Sequence, residues 1–444
     1  MELTTLDSGV RVISERMPAV RSVALGFWIG AGSAIESEEQ AGISHLLEHM
    51  LFRGTERFGS AEIDEIFDAM GAELNAGTDK ESTSLFTRVL DGHLQRAFEV
   101  MGEMVWRPRF GELEAEREVV LEEIAMYEDD PQDKVFDVLG EAIFGSHPLG
   151  RAVIGRAEVI GASTREQLQS FHSERYVPAN VVIAAAGSIE HGELVRMAIA
   201  AEAGREDPGA GEDARDARRE APRTDLEPPA PERRLRFLAK ETEQYHLCLG
   251  GPGIARDDER RFALRVLDNI LGGSSSSRLF QEIRERRGLA YSVFSFSNLY
   301  AATGEVGLYL GTRPENLREA VEVLAEQIEL LIEDPASEAE LERSRENVKG
   351  RIALSLESTS ARMNRLGTSV LGGLPILSVE ELIERIDAVD HAALRALAAE
   401  LFAPERLSVA AIGPSEETFV EALSPLWSSG AGVPAGQGAT ETVK

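Results

Sequence analysis

The sequence predicts an α+β protein made of two homologous α/β domains, each a mostly antiparallel sheet flanked by helices. Three observations predict this fold class. Runs typical of strands and of helices alternate along the chain, the second half repeats features of the first, and a polar segment separates the halves. The length of 444 residues exceeds what one ordinary hydrophobic core can hold.

The elements of the first half follow from local patterns. An apolar run predicts a buried strand at 22–29, and apolar residues spaced with a helical period predict a helix at 61–70. The same reasoning predicts strands at 72–78, 82–89 and 180–187, and helices at 94–106 and 112–127.

Short sequences of the first half recur in the second after a nearly constant shift. Glu112-Leu113-Glu114 recurs as Glu340-Leu341-Glu342, a shift of 228, and Pro178 recurs as Pro404, a shift of 226. We interpret this pattern as an internal duplication. It predicts an N-terminal domain at 1–202, an acidic linker rich in Pro and Gly at 203–232, a related C-terminal domain at 233–428 and a flexible tail at 429–444.

The overall charge restricts the partners. A net charge of −31 argues against a nucleic-acid partner, because phosphate binding needs a basic face. It favours cationic peptides as substrates, or else reflects solubility in a saline cell. The single cysteine, Cys248, excludes an internal disulfide. No signal peptide and no apolar run of ~18 residues is found, so we expect a cytoplasmic protein without a membrane partner.

One stretch carries the chemistry, the His-x-x-Glu-His motif of His45, Glu48 and His49. On a helix, the two histidines lie one turn apart on one face, as two ligands of a single Zn²⁺ must. Glu48 follows on the same side, where it can reach a water molecule at the metal. The order reverses the commoner His-Glu-x-x-His motif. The alternative is that these are ordinary helix residues, but a buried helix gives unpaired polar groups a desolvation cost that a metal removes.

A catalytic zinc needs a third protein ligand beside an open position. The glutamates of the acidic helix at 112–127 are the candidates. Glu123 lies nearest the apolar stripe, and Glu116 lies two turns earlier on the same face, where it can support a ligand by a hydrogen bond. The pattern alone leaves Glu122 and Glu116 open as ligands.

At this point the sequence resembles the family of pitrilysin, insulin-degrading enzyme and mitochondrial processing peptidase, in its short-chain bacterial branch. The matching motifs are Gly-x-x-His-x-x-Glu-His-Met-x-Phe-x-Gly-Thr at 42–55, Leu-Asn-Ala at 74–76 and Glu-Arg-Glu-Val-Val-Leu-x-Glu at 116–123. The resemblance covers roughly residues 2–425. It implies that His45, His49 and Glu123 bind one Zn²⁺ per subunit, that Glu48 is the general base and that Glu116 supports the site.

The resemblance also implies how a peptide is bound. Asn75 and Ala76 match an edge strand that pairs with extended substrate, and we add Phe52 as a substrate-contacting residue. Arg284 and Tyr291 match a pair that faces the zinc in long family members. Because this chain has about half that length, we expect a homodimer in which these residues complete the partner's site.

The sequence thus predicts a zinc endopeptidase that hydrolyses peptides inside a closed chamber, with the negative net charge favouring basic ones. Two alternatives stay open: a non-catalytic structural homologue, and a subunit that is active only in a heterodimer with a related chain.

Overall fold

In the computed structural model, which describes residues 1–202 and 226–427, two β-sheets organise the chain. The predicted tail at 429–444 lies outside the described residues, as do residues 203–225 of the predicted linker; residues 226–232 have no regular secondary structure. The mixed helix-and-sheet architecture confirms the predicted fold class.

The strands, numbered along the chain, are β1 Glu2–Thr5, β2 Arg11–Arg16, β3 Ser22–Ile29, β4 Leu74–Thr78, β5 Thr83–Leu90, β6 Val181–Gly187, β7 Leu235–Ala239, β8 Tyr245–Gly253, β9 Ala290–Leu299, β10 Gly304–Thr312 and β11 Ser408–Gly413. The helices up to residue 202 are α1 Ile43–Leu51, α2 Ser60–Met70, α3 Leu94–Trp106, α4 Leu113–Asp129, α5 Pro131–Phe144, α6 Ala157–Ala162, α7 Arg165–Arg175 and α8 His191–Glu202. Those after residue 226 are α9 Arg261–Leu271, α10 Leu317–Glu333, α11 Glu338–Ser355, α12 Thr359–Leu371, α13 Val379–Asp387, α14 His391–Leu401, α15 Glu416–Ala422 and α16 Ser424–Trp427.

The described residues form two compact units that are not continuous in sequence. Unit 1 contains residues 1–125, 152–202 and 353–376, and unit 2 contains residues 126–151, 226–352 and 377–427. Each unit therefore includes one helix from the other half of the chain: α12 in unit 1 and α5 in unit 2. The predicted domains were defined by the duplicated sequence, whereas the units are defined by contacts in space. The predicted domain limits therefore stay a prediction.

The sheet of unit 1 has the order β1-β2-β6-β3-β5-β4, with only the β2–β6 pair parallel. Every residue of β6 is buried, because helices cover both faces of the sheet at its centre. One face packs on α1, α2 and α3, and the other packs on α12. Strand β4 forms an edge of this sheet and pairs only with β5 within the described chain.

A close contact holds α12 against this sheet. The ring of Trp28 lies over the backbone of Gly26, two residues earlier on β3, and against Gly367 of α12. A Cβ atom at Gly367 would lie 2.3 Å from the Trp28 ring. Arg11 adds a hydrogen bond from Nη1 to the carbonyl oxygen of Val370 (2.9 Å). Small residues at this contact let the helix approach closely enough to bury the indole.

The sheet of unit 2 has the order β7-β11-β8-β10-β9. Helix α5 packs on its central strands, where the ring of Phe136 stacks on Tyr309 at 5.6 Å. Arg234 donates from Nη1 to the carbonyl oxygen of Ala142 near the end of α5 (3.1 Å). Strand β9 is an edge of this sheet.

A uniform shift of 228 between the copies predicts the counterpart of α1 near residues 271–277, but in unit 2 it lies earlier. The buried residues Ala263, Val266, Leu267, Ile270 and Leu271 of α9 repeat the spacing of Ile43, Leu46, Leu47, Met50 and Leu51. The shift is therefore 220 (263 − 43), not 228, because the connections between elements differ in length. Residues 272–277, where the larger shift placed the counterpart, are not helical apart from turns. Helix α9 contains no histidine or glutamate.

Among the described residues, no helix combines the length and the apolar character that crossing a membrane requires.

Candidate metal centre

Helix α1 begins at a backbone position that requires glycine. Gly42 has φ +98°, and a Cβ atom there would lie 2.8 Å from the carbonyl oxygen of Ile154. The buried carboxylate of Glu36 accepts hydrogen bonds from the backbone N–H groups of Gly42 and Ser44, each at 2.8 Å. These bonds satisfy donors that the first turn of a helix leaves open, and they fix the direction in which α1 enters the core.

The structure brings His45, His49 and Glu123 together. Their candidate ligand atoms all lie within 4.8 Å of one another. Oε2 of Glu123 is 3.7 Å from Nε2 of His45 and 3.4 Å from Nε2 of His49. The imidazole rings meet edge-on, with centroids 4.7 Å apart. A third residue on α4 is thus directed at the same point as the two histidines of α1.

These separations fit a metal ion better than direct hydrogen bonds. Hydrogen bonds from N–H to oxygen are normally about 2.7–3.2 Å long. Two atoms that bind one Zn²⁺ tetrahedrally, each at about 2.0–2.1 Å, lie about 3.4 Å apart. Nδ1 of His45 is buried and has no hydrogen-bond partner among the described residues, so no hydrogen bond at this atom fixes the orientation of the ring. The donor set of two imidazoles and one carboxylate suits Zn²⁺.

Glu116 supports His49 from behind. Nδ1 of His49 donates to Oε1 of Glu116 at 2.8 Å, which leaves Nε2 free to face Glu123. Arg53 donates from Nε to the other oxygen of this carboxylate. Glu116 is only 2% exposed, so the two donors compensate a charge that burial alone would destabilise.

The pKa values of the two histidines are shifted in opposite directions. Burial, helped by the neighbouring His49, lowers the pKa of His45 to about 4, so its imidazole is neutral, as a metal ligand must be. Burial also acts to lower the pKa of His49, but the hydrogen bond to Glu116 and the nearby carboxylates raise it overall. Burial acts to raise the pKa of Glu116, while the donors His49 and Arg53 lower it overall.

Glu48 lies beside this cluster and is tied to the edge strand. The hydroxyl group of Thr78, the last residue of β4, donates to Oε2 of Glu48 at 2.6 Å. Burial raises the pKa of Glu48, and the hydrogen bond from Thr78 partly offsets that effect. Glu48 is thus a partly buried carboxylate with one fixed donor.

The predicted substrate-contacting residues lie near this end of unit 1. Asn75 is exposed and Ala76 half-buried on β4, so their backbone belongs to the free edge of the sheet. Phe52 ends α1 and packs against the core of unit 1 with part of its ring accessible. Their contact with a peptide stays a prediction.

Arg284 and Tyr291 belong to unit 2, where they contact each other. The guanidinium carbon of Arg284 lies 4.3 Å from the ring centroid of Tyr291 and 4.7 Å from that of Phe280. Nη1 of Arg284 donates to the backbone oxygen of Tyr291 (3.2 Å). Tyr291 is 77% exposed, so it is not the core residue that its position in an apolar run could indicate. Arg284 and Tyr291 thus contact each other, and their predicted role at the partner's zinc site stays a prediction.

Sequence reasoning did not find Thr78, Arg53 or Glu36. Thr78 and Glu36 contact α1 and its first turn, and Arg53 contacts Glu116 of α4; tertiary packing creates these contacts. Arg53 had a local signal, because it lies four residues after His49 on the continuation of the same helical face. Thr78 and Glu36 had none.

Comparisons with known proteins find matching family models, curated relatives and solved structures. A family model described as "Insulinase (Peptidase family M16)" matches residues 11–157, and one described as "Peptidase M16 inactive domain" matches residues 162–348. The chain is 41% identical to an uncharacterized zinc protease from Mycobacterium tuberculosis, over 93% of this chain and 92% of that protein. It is 40% identical to an uncharacterized zinc protease from Bacillus subtilis, over 93% of this chain and 98% of that protein.

Two solved structures share the fold. A peptidase M16 inactive domain from Pseudomonas fluorescens superimposes with a TM-score of 0.82 at 24% identity and covers 93% of this chain and 98% of its own. A protease from Helicobacter pylori gives a TM-score of 0.83 at 21% identity, with 93% and 99% covered.

Proposed function

The chain belongs to the M16 family of peptidases, and on that premise we propose that it is a zinc-dependent endopeptidase. Its close relatives are named zinc proteases, which supports a peptidase that uses zinc. The observation that carries the proposal is the convergence of His45, His49 and Glu123 beside Glu48.

In this proposal His45, His49 and Glu123 hold one Zn²⁺ per subunit, and Glu116 fixes the ring of His49. A bound zinc ion acts as a Lewis acid and lowers the pKa of water at the site toward ~7. Both features suit peptide hydrolysis near neutral pH. The alternative ligand Glu122 is exposed, which favours Glu123.

Glu48 serves as the general base. It takes a proton from the attacking water and delivers it to the nitrogen of the leaving amine. Its position supports this role, since Glu48 lies one residue from His49 on α1 and its carboxylate is held by Thr78. The hydrogen bond limits its rotation, so the same oxygen can stay directed at the site through both transfers.

The substrate binds as an added strand along β4. A free sheet edge offers unpaired backbone groups to any extended peptide, which explains how a peptidase accepts varied sequences. Asn75 and Ala76 supply this edge, and Phe52 supplies apolar contact. Thr78 belongs to the same strand, so a peptide on this edge runs past the residue that holds Glu48.

The active form is a homodimer with a closed chamber, in which Arg284 and Tyr291 of each subunit complete the site of its partner. They bind the substrate and stabilise negative charge on its carbonyl oxygen. The contact between Arg284 and Tyr291 supports their action as one unit. The net charge of −31 favours basic peptides as substrates.

The proposal is tested by three variants measured for zinc content and for cleavage of a peptide library. Glu48→Gln is expected to retain zinc and lose cleavage. Glu123→Gln is expected to lose zinc, while Glu122→Gln, its exposed neighbour, retains both properties. A chelator should abolish wild-type cleavage. A protein that binds zinc but cleaves no peptide, alone or with a related subunit, would instead support the non-catalytic alternative.

A further inference from the structure

Unit 2 contains a cavity of about 450 Å³ whose lining includes a residue, Arg313, to which the proposed function gives no role. Arg284 and Tyr291 line one part of it, and Arg313 lines another. We call it the Arg284–Arg313 cavity. It lies at the start of the edge strand β9, next to the end of β10.

Arg284 is held rigidly at this cavity. Its guanidinium group lies against the rings of Phe280 and Tyr291, and its hydrogen bond to the Tyr291 carbonyl fixes its rotation. It belongs to the π-helical segment Phe280–Arg286, a rare geometry that is frequent at functional sites. A guanidinium group fixed in this way loses little conformational entropy when it binds an anion.

A β-bulge explains why Tyr291 projects into the cavity. Strand β10 pairs Gly311 with Ser292 and Thr312 with Ala290, so Tyr291 between them is opposite no residue. Such a bulge re-aims the side chain of the extra residue. It also frees the Tyr291 carbonyl from the sheet, and Arg284 binds that carbonyl.

The same β-bulge also determines the position of Arg313. It follows the bulged end of β10, where the buried hydroxyl group of Thr312 donates to the carbonyl oxygen of Leu289 at 2.6 Å. Arg313 itself is 65% exposed, and among the described residues it forms an ion pair of 3.5 Å with the similarly exposed Glu315. Such an exposed pair is weak and can be exchanged for another anion.

The charges at the cavity contrast with those of the whole chain. Two arginines and one glutamate, Glu285, line it, whereas the protein carries a net charge of −31. Glu285 lies 3.6 Å from Nε of Arg284 in a partly exposed pair that, like the pair of Arg313, is weak and can be exchanged for another anion. Glu282 on the same segment pairs instead with Arg286 and Arg287. The cavity therefore offers two arginines to a negative group, in a chain with a large negative net charge.

We propose that the Arg284–Arg313 cavity binds a carboxylate group of the peptide substrate, with Arg313 as a specificity-determining residue. The carboxylate comes either from an Asp or Glu side chain or from the C-terminus of the peptide. Arginine binds both through charge-assisted hydrogen bonds. The inference rests on the proposed peptidase function, since it takes the ligand to be a substrate. In a peptide that combines basic residues with one such carboxylate, the basic residues are attracted by the negative net charge of the protein. The carboxylate is attracted by the arginines of the cavity.

The test measures binding separately from cleavage. Zinc-loaded Glu48→Gln protein is titrated against four labelled peptides of one mixed sequence, with either Glu or Gln at one position and either a free or an amidated C-terminus. We expect Arg313→Gln to weaken binding of a carboxylate-bearing peptide about fivefold, as an exposed charge pair predicts, and to leave the doubly neutral peptide unchanged. Arg313→Lys should keep most of the preference.

Arg318→Gln is the matched control, because Arg318 has the same exposure of 65% and an ion pair with Glu322 but does not line the cavity. The peptide that loses affinity identifies the side chain or the C-terminus as the source. Equal losses for all four peptides, no loss, or no binding by the parent protein would overturn the inference. If the preference is found but wild-type protein cleaves no peptide, the proposed peptidase function fails and the carboxylate site stands.

Discussion

The hydroxyl group of Thr78 donates a 2.6 Å hydrogen bond to Oε2 of Glu48, which connects the edge strand β4 to the metal-facing helix α1. The two segments that the proposed reaction needs, a strand to align a peptide and a carboxylate to move a proton, are therefore mechanically coupled. A displacement of β4 changes the position of Glu48 directly.

The first prediction removes this bond. Thr78→Val keeps the side-chain shape but deletes the donor, so the buried carboxylate loses its fixed partner. We expect kcat for peptide cleavage to fall about tenfold, consistent with the loss of a hydrogen bond to a charged group. Zinc content should not change, and Thr78→Ser should restore most of the rate.

Thr87→Val controls for the loss of a hydroxyl group in the same sheet. Thr87 is buried on β5 and donates to the carbonyl oxygen of Glu73 at 2.8 Å, away from Glu48. It should lower stability without a comparable loss of kcat. Equal rates in Thr78→Val and the wild type would show that the bond has no part in turnover.

The second prediction concerns the support of His49. Glu116→Gln removes the charge that attracts both the His49 ring and Arg53, so we expect zinc affinity to fall about tenfold or more. Competition with a chromophoric chelator measures this. Glu103→Gln is the matched control: Glu103 is also buried and pairs with Arg107, and its loss should lower stability but not zinc affinity. An unchanged affinity in Glu116→Gln would contradict the proposed support.

Local patterns predicted the elements well because periodicity is a property of neighbouring residues. The helix predicted at 94–106 has the bounds of α3, and the strand predicted at 180–187 differs from β6 by one residue. The meeting of His45 and His49 followed from helical spacing. The approach of Glu123 needed tertiary packing, and the apolar stripe of α4 indicated only which face turns inward.

The sequence could not indicate which sheet a helix covers. The apolar face of α12 predicts burial but is equally compatible with either sheet; contacts such as its fit around Trp28 place it in unit 1. The shift between the copies was wrong at α9 for a related reason, since loops of different length separate the same elements. Contacts such as Thr78 with Glu48 depend on this three-dimensional arrangement.

The third prediction concerns pH. Glu340 lies in the first turn of α11 and accepts hydrogen bonds from Arg278 at both oxygens, at 2.9 and 3.2 Å. Ser337 also donates to it through its backbone N–H at 2.9 Å. Burial acts to raise the pKa of Glu340, but these donors lower it to about 2. A folded pKa below the unfolded value means that the stabilisation is complete above about 4.5 and is lost as the pH falls toward about 2.

We therefore expect Glu340→Gln to lower the free energy of unfolding by about 1–2 kcal/mol at pH 7, with a smaller difference from the wild type at pH 3. Denaturant unfolding at both pH values measures this. Glu342→Gln on the same helix removes only a long contact of 3.6 Å between an exposed carboxylate and Arg345, and should have little effect at either pH. A difference for Glu340→Gln that does not depend on pH would contradict the assignment.

The last prediction tests whether α12, a helix from the second half of the chain, packs on the sheet of unit 1. A Cβ atom at Gly367 would lie 2.3 Å from the Trp28 ring, so Gly367→Ala forces α12 away from the sheet of unit 1. Overpacking of this kind costs about 1–3 kcal/mol. Since Gly367 comes late in the sequence but packs on β3 and β6, hydrogen exchange should become faster in those strands and stay unchanged in β8 and β10. Gly350→Ala on α11 has open space around its Cβ and should instead stabilise the protein by about 0.5–1 kcal/mol, because alanine favours the helix. Faster exchange confined to β8 and β10 would mean that α12 packs on the sheet of its own half.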